Sequence, residues 1–285
     1  MLRNVAWFGS AITIFFLTAA LVRAESVLEL PKEIPVTRDV DVVIVGGSGG
    51  AVEAACEAAR QRAKVFLLEA RPYLGTDICA TLRLWLDEGE QPESRLATAC
   101  FGEQRLATPC TVKAEMDNAL LSAGVEFLTG CYATEVLRDS AGRVAGVVMV
   151  NRSGRQAVRA KVVVDATGEA TVARQAEAGF RPMRPGKKTF TRVVIGGAMR
   201  SGRSASVKER TFAWRAVKQG NEPRPVYEYS LDIEMPDNSL SAMALSRLAA
   251  ATSGRCQGAV FPSRLAPAMP AAGGPGRDSG CRSGR

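Results

Sequence analysis

The 285-residue chain contains no histidine. That absence removes Ser-His-Asp and Cys-His catalysis, the HExxH zinc site and the imidazole proton shuttle together. Its seven cysteines, Cys56, Cys79, Cys100, Cys110, Cys131, Cys256 and Cys281, are odd in number and include no Cys-x-x-Cys spacing. This argues against a structural zinc site and against a complete disulfide framework, so no metal site is expected. Most fit as small buried apolar residues, and in an oxidising compartment Cys100 and Cys110 are the expected local pair, closing a short loop that holds Gly102 and Pro109. A concentrated basic face is missing too. The formal charge is +8, but residues 1–24 carry Arg3 and Arg23 without an acid, and residues 247–285 carry six arginines against Asp278 alone. Between them lie 29 basic and 28 acidic residues, so nucleic acid is not an expected partner.

What is present is enough apolar residue, 46%, to bury a core in a chain near two domains in length. The N-terminus opens MLRN, continues with 18 uncharged residues from Val5 to Val22, and then reads Arg23, Ala24, Glu25. This is the pattern of a secretory signal peptide cleaved after Ala24, with small residues at Val22 and Ala24. An uncleaved membrane anchor is the alternative, since a span needs about 20 apolar residues. No twin-arginine pair precedes the run, so the chain is expected to be exported, to the periplasm or beyond the cell, before it acquires any cofactor.

From Asp39 the pattern is regular. DVDVVIVG is a β-branched run ending in glycine, as in a strand buried on both faces of a parallel sheet. GSGGAVEAACEAARQRA follows, with Ala51, Ala54, Ala55, Ala58 and Ala59 on one side of a helix. KVFLLEA, Lys64 to Ala70, is a second buried strand, so residues 39–70 form a βαβ unit. After a loop over 71–91, in which ATLRLWL suggests a helix that Asp77 would cap, TVKAEMDNALLSAG predicts a helix stopped by Gly124. Leu82, Trp85 and Leu86, at helical spacing, are expected in the core. Then the period shortens to that of strands: VEFLTG, CYATEVLRD, RVAGVVMVN and RQAVRAKVVVDATG make an antiparallel meander that returns into a last buried strand, Val162 to Asp165. Residues 189–237 are strand-like again. The expected organisation is a signal peptide at 1–24, a linker at 25–38, a dinucleotide-binding domain at 39–180, a partial substrate domain at 181–246 and a low-complexity tail at 247–285.

In that last segment 23 of 39 residues are Gly, Ala, Pro or Ser, and lysine is absent. It cannot build a packed core. It reads either as a disordered tail or as the product of a frame lost near Ser246 in GC-rich DNA.

The turn after the first strand is Gly46, Gly47, Ser48, Gly49, Gly50, Ala51, and Glu69 closes the second strand. In a GxGxxG/A turn the first glycine permits the bend, the second lets the backbone approach a pyrophosphate, and the third small residue lets helix and strand touch. Aligning Gly46 and Ala51 with the first and third places Glu69 near the distance expected of the acid that binds ribose hydroxyls. Ser48 then stands at the middle glycine, where its Cβ crowds a phosphate unless its hydroxyl donates to it. A helix beginning near Gly49 offers amides and a positive dipole end to an anion.

With the meander before the final DATG strand, residues 41–55, 64–70 and 162–180 resemble the FAD-dependent oxidoreductases of the glutathione-reductase type. VVIVGGSGGAV with RPYLGTDICATLRLWLDEGE is similar to a signal-peptide-bearing bacterial subgroup of them, in which the serine variant of the turn recurs. The resemblance implies an α/β fold: a Rossmann-like FAD-binding domain, a parallel sheet with an inserted antiparallel meander, followed by the start of a strand-rich second domain. It implies FAD as cofactor, with Gly46, Gly47, Ser48, Gly49, Gly50 and Ala51 on the pyrophosphate. Glu69, with Ala70 and Arg71, would hold the adenosine ribose; Ala133 would lie beside the adenine, and Ala166, Thr167 and Gly168 would line the returning strand. The family's later Gly-Asp segment, which completes the cofactor site, has no counterpart here, so the chain reads as truncated or frameshifted.

The flavin would accept hydride or electrons from a small-molecule substrate and pass them to an unidentified acceptor. No catalytic residue is assigned. Asp77 and Cys79 are the local candidates for touching or tuning the flavin, set against a capping aspartate and a packed cysteine. Two rivals stand beside this reading: a nicotinamide-dependent dehydrogenase, which shares the turn and Glu69 but has no use for the meander, and an exported fragment with no activity.

Overall fold

The computed structural model describes residues 32–181, 184–196, 205–210, 218–219, 222–237, 239, 242 and 264–265. The predicted signal peptide, Cys256, Cys281 and all of the predicted tail except Arg264 and Leu265 lie outside the described residues.

β1 (Val36–Val45), α1 (Gly49–Arg60) and β2 (Val65–Glu69) form the expected βαβ unit, with β1 and β2 parallel from Val42↔Val65 to Val45↔Leu68. Every residue of β2 is buried, as an unbroken apolar run requires in a sheet covered on both faces. The small side chains Ala51 and Ala55, with Val52, let α1 close onto the sheet.

α2 (Thr76–Cys79), α3 (Arg95–Phe101) and α4 (Pro109–Ser122) follow. α4 begins earlier than its apolar spacing suggests because Thr108 caps it, its hydroxyl accepting from the Thr111 amide at 3.1 Å, and Pro109 occupies the first helical position. The helix expected over ATLRLWL does not form. Leu82 takes a left-handed φ of 57°, and Trp85 bridges Leu106 as in an antiparallel ladder. Leu82 and Trp85 pack against Val193, while Leu86 joins the core around α1 and α4. The three are packed as expected, but from an extended loop that sends them to two different clusters.

β3 (Glu126–Thr129), β4 (Tyr132–Arg138), β5 (Val144–Asn151) and β6 (Gly154–Asp165) complete a six-stranded sheet of order β3-β2-β1-β6-β5-β4. Neighbours are parallel from β3 to β6 and antiparallel from β6 to β4. The α/β class and the meander inside a mostly parallel sheet are as the sequence predicts. β6 is one long strand that closes the meander on β5 and runs beside β1 as far as Val45↔Asp165. Its end is less buried than expected: Val162 is 52% exposed and Val163 to Asp165 are half-buried. The core beneath α1 and α4 reaches this strand only at Val164, and Val162 joins neither core flanking the sheet.

Alternation along the strands feeds two cores. Ile44 and Leu67 pack with Val112, Met116 and Leu120 of α4, while Val43, Val45, Phe66 and Leu68 pack with Met149, Val158 and Val172. The last of these belongs to α5 (Thr171–Gln175), which follows β6.

The strand-like stretch near 189–237 supplies β7 (Gly186–Ile195), β8 (Ala205–Arg210) and β11 (Val226–Met235) to a second, antiparallel sheet, which β12 (Arg264–Leu265) from the predicted tail joins, in the order β12-β7-β11-β8. β9 (Lys218–Gln219) and β10 (Glu222–Pro223) pair separately. Arg83 ties the loop after α2 to this sheet, 2.7 Å from Asp87 and 3.7 Å from Glu228.

The five described cysteines are free thiols, and the expected Cys100–Cys110 bond is absent. Cys100 faces the core from α3, whereas Cys110 is exposed at the start of α4, so the two side chains are turned to different surroundings. Among the described residues no helix is long and apolar enough to cross a membrane.

Candidate functional site

The glycine-rich turn lies at the C-terminal end of β1, the edge of an open α/β sheet where ligands bind. Gly46 has φ +124°, and a Cβ there would stand 2.5 Å from the Ala166 carbonyl oxygen. A Cβ on Gly47 would stand 2.7 Å from the Glu69 carboxylate and 2.9 Å from Leu74. Gly46 is met by backbone that cannot turn aside, whereas a side chain at Gly47 would require the Glu69 and Leu74 side chains to shift. Ser48, by contrast, has ordinary extended angles and caps α1, its Oγ accepting from the Ala51 amide at 3.2 Å. The hydroxyl hydrogen is not consumed by that bond and can donate outward. The departure from glycine at this position therefore brings a cap rather than strain. Ala51 is fully buried where helix and strand touch.

Glu69 is buried beneath Gly47, and burial pushes its carboxyl above the ordinary range while the amides of Arg71 and Gly47 pull it back. The Arg71 amide donates to its Oε1 at 2.7 Å. The meander is fastened to the same strand end: Gly130 donates to the Arg71 carbonyl at 3.1 Å and Cys131 to the Glu69 carbonyl at 2.9 Å. Ala133 follows within β4, half-buried, its carbonyl accepting from Gln175 Nε2 at 3.2 Å. The topology thus brings Glu69, Ala70, Arg71 and the entry to the meander to one edge of the sheet.

The DATG segment is a clamp centred on Asp165. One carboxylate oxygen accepts from the Thr167 amide at 2.9 Å and its hydroxyl at 2.7 Å, and the other accepts from the Ala173 amide at 2.8 Å. Thr167 Oγ1 accepts in turn from the Thr171 amide at 2.8 Å. Ala166 donates to the Val45 carbonyl at 2.8 Å, which brings this turn against Gly46. Gly168 has nothing within 4 Å of a virtual Cβ, and Gly50 meets only Ser48 Oγ at 4.0 Å.

α2 forms the outer wall. The amides of Gly75 and Thr76 donate to the Gly47 carbonyl at 2.7 and 3.3 Å. Asp77, expected to cap a helix over ATLRLWL, lies in the first turn of α2 and reaches back to α1, its carboxylate accepting from the Gly49 amide at 3.1 Å. Cys79 is packed in the core, its thiol donating to the Pro109 carbonyl at 3.7 Å.

Two turns therefore converge at the ends of β1 and β6, with first-turn helix amides, a serine hydroxyl and open space at Gly50 and Gly168. This donor set suits a diphosphate, and it fits the FAD pyrophosphate apart from two first-turn amides already held, that of Gly49 by the Asp77 carboxylate and that of Ala51 by the Ser48 hydroxyl oxygen. Sequence reasoning missed the role of Asp165 and the crowding at Gly47. The DxT spacing was a readable signal for the Asp165 clamp, since an aspartate readily accepts from the amide two residues on; Gly47 carried no local signal. Among the described residues no group of three His, Cys, Asp or Glu side chains is placed to hold a metal.

Several solved structures are similar. THI4 of Thermovibrio ammonificans matches at 25% identity and TM-score 0.41 over 50% of this chain and 64% of that one. A geranylgeranyl bacteriochlorophyll reductase-like protein of Thermoplasma acidophilum matches at 15% and 0.46 over 80% and 66%. The OxyS anhydrotetracycline hydroxylase of Streptomyces rimosus matches at 15% and 0.43 over 68% and 45%. The chain thus spans less than two thirds of the length of each. No curated protein matches the chain. The FAD dependent oxidoreductase family matches residues 41–255, a stretch that takes in both turns, the meander and the second sheet except β12 and runs past Ser246, and the chain belongs to that family.

Proposed function

We propose that the chain is a flavoprotein that moves hydride or electrons between a small-molecule substrate and a separate acceptor, with FAD held where the two turns converge. The observation that carries this reading is the contact of Gly46 with Ala166, which joins the β1 turn to the DATG turn at one edge of the sheet. Gly46, Gly47, Ser48, Gly49, Gly50 and Ala51 hold the pyrophosphate, chiefly through the amides of the first turn of α1 and the Ser48 hydroxyl. Glu69, Ala70 and Arg71 hold the ribose, Ala133 lies beside the adenine, and Ala166, Thr167 and Gly168 line the returning strand. Bound flavin supplies the redox chemistry, and the protein supplies orientation and electrostatics. Asp77 has to release the Gly49 amide to the diphosphate.

Within the family, we assign the chain to the glutathione-reductase type and to its signal-peptide-bearing members, on the strength of the residues 1–24 and the serine variant of the turn. Export to the periplasm or beyond the cell follows from the same residues. For the stretch beyond Ser246 we favour a lost reading frame, and one uninterrupted frame on resequencing the locus overturns that.

The deciding measurement is the visible spectrum of the chain from Glu25 onward, before and after excess FAD is added and the free flavin removed. Retained flavin bands are expected. A colourless protein that also fails to take up FAD overturns the reading.

A further inference from the structure

The DATG turn and the meander are joined by one side-chain amide. α5 is held at its start by Asp165, whose carboxylate accepts from the Ala173 amide at 2.8 Å, and just past its end by Arg138 of β4, whose Nη2 donates to the Ala176 carbonyl at 3.3 Å. Val172 packs in the core that contains Cys131 and against which Ala133 lies. From this fixed backbone Gln175, the last residue of α5, reaches β4, and its Nε2 donates to the Ala133 carbonyl at 3.2 Å, 42 residues away in sequence. Only the nitrogen of the amide can donate, so a carbonyl partner decides which way the group points. The oxygen is left over. Gln175 Oε1 is buried and accepts no hydrogen bond from the described residues. A buried acceptor without a donor has given up its water for nothing, which makes it rare enough to call for a cause. Its place supplies one: Cys131, two residues before Ala133, donates to the Glu69 carbonyl at 2.9 Å, so the amide meets the meander close to the strand end assigned to the ribose.

We propose that Gln175 selects the adenine base of the cofactor, its Oε1 accepting a hydrogen bond from the exocyclic 6-amino group. The inference rests on the flavin reading above, which lays the adenine beside Ala133, and adds to it the side chain that tells this base from others. A 6-amino base brings a hydrogen to Oε1. A 6-oxo base such as hypoxanthine brings a second acceptor, so two oxygens face each other and neither is satisfied. Oε1 is closed to water in the free chain, so the amide has to tilt outward to meet the base, pivoting on its bond to Ala133. Gln175 thus ties recognition of the base to the helix that the Asp165 clamp holds.

The test compares FAD with flavin hypoxanthine dinucleotide, which carries the same flavin and diphosphate but a 6-oxo base, by fluorescence titration of the full chain and two variants. The wild-type chain is expected to bind FAD about ten-fold more tightly than the analogue, and Gln175→Met, similar in length but without the amide, to lower that ratio to about two-fold, chiefly by losing FAD affinity. Gln175→Glu keeps an acceptor and loses the donor to Ala133, so it should keep the preference for FAD even where both affinities fall. Equal affinities in the wild-type chain, or an undiminished ratio in Gln175→Met with both affinities lowered by one factor, overturn the proposal and leave Gln175 as a tie between α5 and β4. A wild-type chain that stays colourless with either flavin overturns the flavin reading itself, and this inference with it.

Discussion

At the end of β1 the chain turns into α1 through glycines crowded by their neighbours. At the end of β6, one strand away, it turns into α5 through side chains that hold one another. Gly46 and Gly47 are crowded by Ala166 and Glu69, so the first turn is specified by exclusion. Asp165 and Thr167 make four hydrogen bonds around the second, which is specified by attachment, and its glycine faces open space. A turn built by exclusion fails when an atom is added, and one built by attachment fails when an atom is removed.

Gly46→Ala is the severest way to break that contrast. The new methyl lies 2.5 Å from a backbone oxygen that cannot turn aside, at a φ that L-residues rarely adopt. A loss of about 3 kcal/mol or more is expected from overpacking and backbone strain together, read as a fall in the urea midpoint or as failure to fold. A wild-type midpoint would show that the two turns do not touch.

Asp165→Ala attacks the other turn by deletion. Three donors lose a carboxylate acceptor, for an expected loss of about 2–3 kcal/mol, and Asp165→Asn should recover part of it through its remaining carbonyl oxygen. Equal losses in the two variants would mean that the charge, not the geometry, holds the turn. Ser48→Ala is milder, about 1 kcal/mol for a lost helix cap, with Ser48→Gly costing only a few tenths. Denaturant titration that ranked Ser48→Gly below Ser48→Ala would contradict the capping role.

How legible the molecule was in its sequence follows the same division. The βαβ unit, the meander and α4 were readable because apolar period and caps are local signals, and Gly46 was readable because a dinucleotide turn has a local pattern. The crowding at Gly47 was not, since it comes from Glu69, which is distant in sequence and reaches the turn only once β2 lies beside β1. Leu82, Trp85 and Leu86 showed helical spacing, yet the left-handed Leu82 and the pairing of Trp85 with Leu106 overrode it, a long-range choice that local periodicity does not encode. The predicted Cys100–Cys110 pair failed for a related reason: closeness in sequence says nothing about which way two side chains face.

Asp77→Asn probes the wall between the turn and α2. The amide oxygen can still accept from Gly49, so the fold should change little, but the negative charge beside the proposed diphosphate site is gone. FAD affinity is expected to rise several-fold, and more at low ionic strength, where such repulsion is less screened. Unchanged or weaker binding by fluorescence titration would remove the competition assigned to this carboxylate.

Gly168→Ala gives the smallest effect on the fold and the sharpest test of what the open space is for. No atom lies within 4 Å of the new methyl and its φ is not left-handed, so the urea midpoint should stay within a few tenths of a kcal/mol, with a slight gain from the stiffer unfolded chain. That sets it at the opposite extreme from Gly46→Ala, although both glycines lie in turns at adjacent strand ends. If FAD approaches the backbone here, the same methyl that the empty fold tolerates should weaken flavin retention, measured as the fraction of yellow chain after desalting. Wild-type stability with wild-type retention would place the cofactor away from Gly168 and leave the contact of Gly46 with Ala166 as a feature of folding alone.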